Sequence, residues 1–171
     1  MSTQKLLLLK SAYALLENTT PLKYDCGSLC DGICCKDNAI NSKGTGMMLL
    51  PCEELLLQGT DGFEIKDTCD GKILICNGTC QRDKRPFFCR IFPYYASVEA
   101  ESGKIRLRID PRSAGICPIA TKQKRVRHSV YFHRNAVRAI RILMRDDDFK
   151  GEIIKTSEFC DSLYDLYAKL Y

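Results

Sequence analysis

The chain has no long apolar stretch. Its N-terminal leucine run, residues 6–9, is closed by Lys10 after four residues. That is too short for the apolar core of a secretory signal, and far short of the roughly 20 residues that cross a bilayer. A cytoplasmic protein with no membrane partner is therefore expected. Several catalytic signatures are missing as well. There is no Gly-x-Ser-x-Gly elbow, no His-Glu-x-x-His helix and no Walker-type or glycine-rich nucleotide loop, so nothing local marks a serine hydrolase, a zincin or a P-loop enzyme. Histidine occurs only as His128 and His133. Internal repeats, low-complexity tracts and linkers are absent too, which leaves one domain over residues 1–171.

Charge of one sign is not in large excess. Against 26 Lys and Arg stand 21 Asp and Glu, a formal +5. This balance suits an acidic partner without being the footprint of a nucleic-acid binder, so no nucleic acid is expected. At 171 residues the chain buries a real core without staples. It nevertheless holds 11 cysteines, an odd number that excludes a complete disulfide framework. The compartment inferred above also keeps thiols reduced.

Most of those cysteines are grouped. Cys26, Cys30, Cys34 and Cys35 form a first group; Cys76 and Cys80 flank Asn77-Gly78; Cys89 follows Arg85-Pro86-Phe87-Phe88; Cys117 precedes Pro118. These segments are polar and turn-forming, where a merely hydrophobic cysteine has nothing to pack against. Thiolate ligation of a soft metal is the expected role. A turn such as Asn77-Gly78 lets two sulfurs face one ion. Cys26, Cys30 and Cys34 recur every fourth residue and converge if the loop coils into helical turns, whereas the side chains of Cys34 and Cys35 diverge. These thiolates make two closed zinc sites, or one [4Fe–4S] cluster with thiols to spare, and the sequence does not choose between zinc and an iron–sulfur cluster. Lys36, Arg82, Lys84, Arg85 and Arg90 flank the ligands and offset the thiolate charge. Cys52, Cys69 and Cys160 fall at a helix start, a strand end and a packed helix, and read as structural residues.

Around these loops the pattern is α+β. Leu6, Leu9, Tyr13 and Leu16 share a face, predicting a helix over 3–18. A short helix follows Pro51 and ends before Gly59. Hairpins are predicted over 63–76, turning at Asp70-Gly71, and over 94–110, turning at Ser102-Gly103. A helix over 121–145 takes Val126, Val130, His133, Val137, Ile140 and Met144 as its buried seam, and a last helix over 152–170 turns Phe159, Leu163, Leu166 and Leu170 inward. The expected fold is a small single α+β domain. It has N- and C-terminal helices, two β-hairpins and cysteine-rich metal-binding loops, with the metal-binding part at about 22–118 and a helical C-terminal part at 121–171.

The Cys-x-x-x-Cys-x-x-x-Cys-Cys group, the later paired cysteines and the run Arg85-Pro86-x-x-Cys89-Arg90-x-Phe92-Pro93 resemble the bacterial cysteine-cluster family. Its members are described as zinc- or iron-chelating domains and include the flagellin lysine N-methylases. The likeness covers about residues 22–118. It implies that Cys26, Cys30, Cys34, Cys35, Cys76, Cys80, Cys89 and Cys117 are the metal or cluster ligands. In the methylase branch it further implies an iron–sulfur cluster, S-adenosylmethionine and methyl transfer to protein lysines.

Three functions compete on these expectations: a cytoplasmic metal-binding protein, an S-adenosylmethionine-dependent N-methyltransferase, and a metal-braced interaction module. For the last, Arg127, Arg134, Arg138, Arg141 and Arg145 lie with Tyr131 along one stripe of the long helix. They read as a cradle for phosphate, nucleic acid or an acidic protein surface, such as an acidic partner or protein substrate, or else as a solvated face whose last turn pairs with residues 146–148 or with acidic residues on the final helix. His133, on the predicted seam, reads as a satisfied core histidine rather than a ligand.

Overall fold

The computed structural model describes residues 2–34, 46–76, 82–121 and 127–170, with side chains at all of these except 2, 28, 30 and 168–170. Helices and two small antiparallel sheets make the α+β fold that the patterning implies. Helix α1 (Ser2–Leu16) buries Leu8, Leu9, Ala12 and Leu16. After it come the single turn α2 (Gly27–Cys30) and strand β1 (Met47–Met48). Helix α3 (Glu54–Leu57) then leads into the hairpin β2 (Phe63–Thr68) and β3 (Gly71–Cys76). The three strands order as β1-β3-β2. Helix α4 (Phe87–Ile91) precedes a second hairpin, β4 (Tyr94–Val98) with β5 (Ile105–Ile109). Three helices complete the chain: α5 (Pro118–Thr121), α6 (Val130–Leu143) and α7 (Asp147–Leu170).

The first hairpin turns one residue earlier than its sequence suggests. Thr68 pairs with Gly71, so Cys69 and Asp70 form the turn. Gly71 takes a φ of 124°, a conformation that L side chains avoid. This shift leaves Cys69 exposed rather than packed. Gly46, just before β1, lies so close to β3 that a Cβ there would sit 2.5 Å from the Leu74 carbonyl oxygen.

The main hydrophobic core joins both ends of the chain. It gathers α1, Leu50, the α4 residues Phe87, Phe88 and Ile91, Tyr94 and Ala96 of β4, α6, and Phe149 and Ile153 of α7. Ala12, Ala136 and Ala139 are fully buried within it, and small residues at a helix contact let two backbones approach closely. Asn135 Nδ2 donates to the Leu15 carbonyl at 3.0 Å, satisfying one of the orphan acceptors at the C-terminal end of α1. Lys5 reaches from α1 to Asp148, with Asp146 at 3.9 Å. Helix α7 lies against β4: Ser157 Oγ accepts from the Val98 N–H at 2.9 Å, and Asp161 accepts from the Tyr95 hydroxyl at 2.6 Å.

Both long helices are rotated relative to expectation. Helix α6 begins at Val130, where Ser129 Oγ accepts from the Phe132 N–H at 3.2 Å. Its buried face is Phe132, Asn135, Ala136, Ala139, Ile140 and Leu143. Of the predicted seam only Ile140 is buried; Val130 is 73% exposed, and Val126 lies outside the described residues. Alanines carry little weight in a hydrophobic pattern, yet here they form the contact with α1. Helix α7 turns Phe149, Ile153, Ser157 and Cys160 inward, and leaves Phe159 and Leu166 half exposed. Its partner surface is a sheet that offers hydrogen bonds, so Ser157 and Asp161 face it where leucines were expected. The Leu170 side chain is outside the described set.

Candidate metal centre

Five of the predicted ligands have described side chains: Cys26, Cys34, Cys76, Cys89 and Cys117. All of them line one cavity of about 200 Å³. They arrive from separate places in the chain. Cys26 sits at the N-terminal edge of α2, and Cys34 lies beyond Asp31 and Gly32, whose φ values of 52° and 66° are left-handed. Cys76 ends β3 opposite Phe63. Cys89 is in the middle of α4, and Cys117 occupies the turn before α5. The side chain of Cys30, and Cys35 and Cys80 altogether, lie outside the described residues.

Among the described residues no three of His, Cys, Asp and Glu gather as the ligands of one ion, and no disulfide joins two cysteines. The five thiols surround a space. Its wall is apolar at Met47, Phe63, Leu74 and Phe92, and cationic at Lys84, Arg85 and Arg112.

Four of the five sulfurs are held by recognisable local chemistry. Cys26 and Cys117 pack together with Leu22, Ile119 and Phe92 in a small cluster of their own. Burial pushes the Cys26 thiol up, as do the Asp25 carboxylate and Cys117, while Arg82 and Arg85 pull it back. Arg82 donates to Asp25 at 3.1 Å and to the Thr19 carbonyl. Cys117 is fixed through the Pro111–Ser113 turn. Buried Asp110 accepts from the Arg112 N–H at 2.9 Å and grips the Arg112 guanidinium, Ser113 N–H donates to the Asp110 carbonyl at 2.9 Å, and Cys117 N–H donates to Ser113 at 2.8 Å. Cys76 packs with Leu49, Leu57 and Leu74 in a second small cluster.

Cys89 depends on a residue that the sequence does not single out. Glu53 is completely buried. Its Oε1 accepts from the Tyr13 hydroxyl at 2.5 Å and from the Phe87 N–H at 2.6 Å, and its Oε2 from the Leu50 N–H at 2.8 Å. Phe87 opens α4, so Glu53 caps the helix that carries Cys89. The Arg90 guanidinium stands 3.9 Å over the Tyr13 ring and donates to the carbonyls of Arg85 at 2.7 Å and Asp83 at 2.5 Å. Arg90 thus braces the loop before α4 and also borders a small recess shared by Cys26 and Cys89. In the sequence nothing separates Glu53 from Glu54, since both read as acids on a short surface helix. Asp110 and Arg112 were equally silent, although Asp-Pro is a turn-initiating pair.

Elsewhere the outcomes are mixed. Cys160 is buried as expected, and burial, with Asp110 beside it, pushes its thiol up to about 12. Cys52 is a half-buried free thiol at a φ of 65°. The Tyr94 hydroxyl hydrogen-bonds His128 Nδ1. The His133 ring meets Tyr94 edge-on with centroids 4.7 Å apart, and its Nε2 has no hydrogen-bond partner among the described residues, so this histidine is not a satisfied one. Burial pushes the His133 pKa down, and His128 adds to that. Arg127, Arg134, Arg138, Arg141 and Arg145 are all exposed. None of them forms an ion pair among the described residues, because Asp146 and Asp148 face Lys5 instead.

The fold and the site define a small α+β chain with a thiol-lined, cation-walled cavity. No protein-family model, curated protein or solved structure matches it. No helix among the described residues is long and apolar enough to cross a membrane.

Proposed function

We propose that this chain binds a metal cofactor through cysteine thiolates, with Cys26, Cys34, Cys76, Cys89 and Cys117 among the ligands. The observation that carries this reading is their convergence: thiols spread over residues 26–117 line a single cavity of about 200 Å³. Thiolates need positive charge nearby, and Lys84 and Arg85 stand in the same wall, beside an Arg112 that is already paired with buried Asp110. The resemblance to the cysteine-cluster family supports the same set, extended by Cys30, Cys35 and Cys80.

Cavity size favours an iron–sulfur cluster over zinc. A zinc ion holds its sulfurs at about 2.3 Å, so four ligands close directly over it. A space of about 200 Å³ instead suits a cofactor of several atoms. When bound, such a cluster supplies one-electron chemistry. The residues of this chain position the sulfurs, line the space with the apolar Phe63, Leu74 and Phe92, and place cations against the thiolate charge.

Elemental analysis and an optical spectrum of protein purified without oxygen test the reading. Wild type is expected to be brown, with stoichiometric iron and acid-labile sulfide. Cys76→Ala, Cys89→Ala and Cys117→Ala should lose the metal, and Cys160→Ala should keep it. A colourless protein with stoichiometric zinc would preserve thiolate binding and remove the cluster. Equal metal in all four variants would sink the ligand assignment, and a metal-free wild type would end the proposal.

A further inference from the structure

We infer that Glu53 is the positioning residue of Cys89: its buried carboxyl sets the start of α4 and thereby the place of the thiol in the cavity wall. This rests on the metal reading above. Glu53 joins three separate pieces of the fold, namely Tyr13 on α1, the Leu50 amide before α3, and the Phe87 amide at the start of α4. All three contacts deliver a hydrogen to the carboxyl, the pattern that an ionised carboxylate satisfies with both oxygens. Burial works the other way and raises its pKa, while the three donors and Arg90 oppose that rise. Arg90 supplies the compensating charge from over the Tyr13 ring.

The electrostatics reach Cys89 as well. The Tyr13 hydroxyl responds to Glu53, Arg90 and Cys89 together, after burial, so these groups form one neighbourhood. Cys89 lies two residues beyond Phe87 and immediately before Arg90, and both of those neighbours are fixed by the network. A short helix of five residues has little stability of its own. Its register is therefore set by what holds its first amide and its Arg90 side chain.

Glu53→Gln is the informative change. Whichever way the amide turns, its NH₂ faces a donor: the Leu50 N–H on one side, or the Phe87 N–H and Tyr13 hydroxyl on the other. Two readouts are taken. In metal-loaded protein, Glu53→Gln should weaken metal binding by about 10–100-fold, the range for groups that orient ligands. In metal-free protein, alkylation of Cys89, followed peptide by peptide by mass spectrometry, should speed up several-fold relative to Cys26 and Cys117. Tyr13→Phe, which removes one donor and keeps the carboxyl, should shift both readouts in the same direction by less, and it stands in if Glu53→Gln fails to fold. Glu53→Asp should recover part of the affinity. Ile153→Val, a core substitution on α7, should lower the melting temperature while leaving both readouts unchanged.

Unchanged Cys89 alkylation and unchanged affinity in Glu53→Gln and Tyr13→Phe would overturn the inference while the metal reading stands. So would equal loss of metal in Ile153→Val, since the effect would then be general destabilisation. A wild type that takes up no metal condemns the metal reading and removes the affinity readout with it. In that case the alkylation ratio still reports whether Glu53 positions Cys89.

Discussion

At His133 a half-buried imidazole meets the edges of Tyr94, His128 and Phe132, and its Nε2 finds no partner among the described residues. Burial first, and His128 second, disfavour the charged ring and lower its pKa below 6.5. The unfolded chain keeps the ordinary value, so between the two pKa values it binds more protons than the folded protein. Stability must therefore rise with pH through that window, level off above about 6.5, and be weakest below the folded pKa. Urea midpoints at pH 5.5 and 7.5 should differ in this direction, and His133→Gln should shrink the difference; identical slopes in the two proteins would remove the argument. The cysteines make the residue-scale point about legibility. Grouped cysteines in polar turns stood out as candidate ligands, and the five with described side chains line one cavity, but Cys52, Cys69 and Cys160 looked alike, and of these three only Cys160 is buried. A one-residue shift of the β2–β3 turn, imposed by Gly71, was enough to expose Cys69.

At the scale of elements, α6 shows why a periodic pattern found a helix but started it at 121 instead of Val130 and gave it the wrong face. The letters Val130, His133, Val137 and Met144 have the spacing of a seam, yet none is buried. The contact with α1 is made by Ala136 and Ala139 against a helix that contributes Ala12, with Phe132 and Leu143 toward the ends. Small residues are favoured there because they let the helices come together, a requirement visible only once the partner helix is known. Ala136→Leu should accordingly overpack this contact and destabilise the protein by about 1–3 kcal/mol, measured by denaturant unfolding. Val130→Leu, on the exposed side, should change little. Equal effects at the two positions would contradict the observed face. Glu53 and Glu54 pose the same problem at a shorter range: two adjacent acids on one turn, one fully buried and one not, are told apart only by the α1 and α4 residues that the fold brings to Glu53.

Across the whole molecule, the thiols and the main core are separate. The large core of α1, α4, β4, α6 and α7 counts no candidate ligand among its buried residues, whereas Cys76 belongs to one small cluster, and Cys26 and Cys117 to another. Cys89 rides on the core helix α4, while the segments that carry Cys26, Cys76 and Cys117 have only small clusters of their own, and a bound cofactor would stabilise those segments selectively. Binding to the folded state alone contributes RT ln(1 + [L]/Kd), about 4 kcal/mol at a thousandfold excess over Kd. Removing the metal with chelator under reducing conditions should then speed amide exchange in residues 22–34, 74–76 and 113–121. Protection in α1 and α6 should survive, because Leu9, Ala12, Ala136, Ala139 and Ile140 are fully buried without any thiol's help. Hydrogen exchange resolved by peptide decides the matter. Uniform loss of protection, α1 and α6 included, would mean that the cofactor holds the entire fold, and a pattern unchanged by chelation would mean that the thiol loops stand on their own packing.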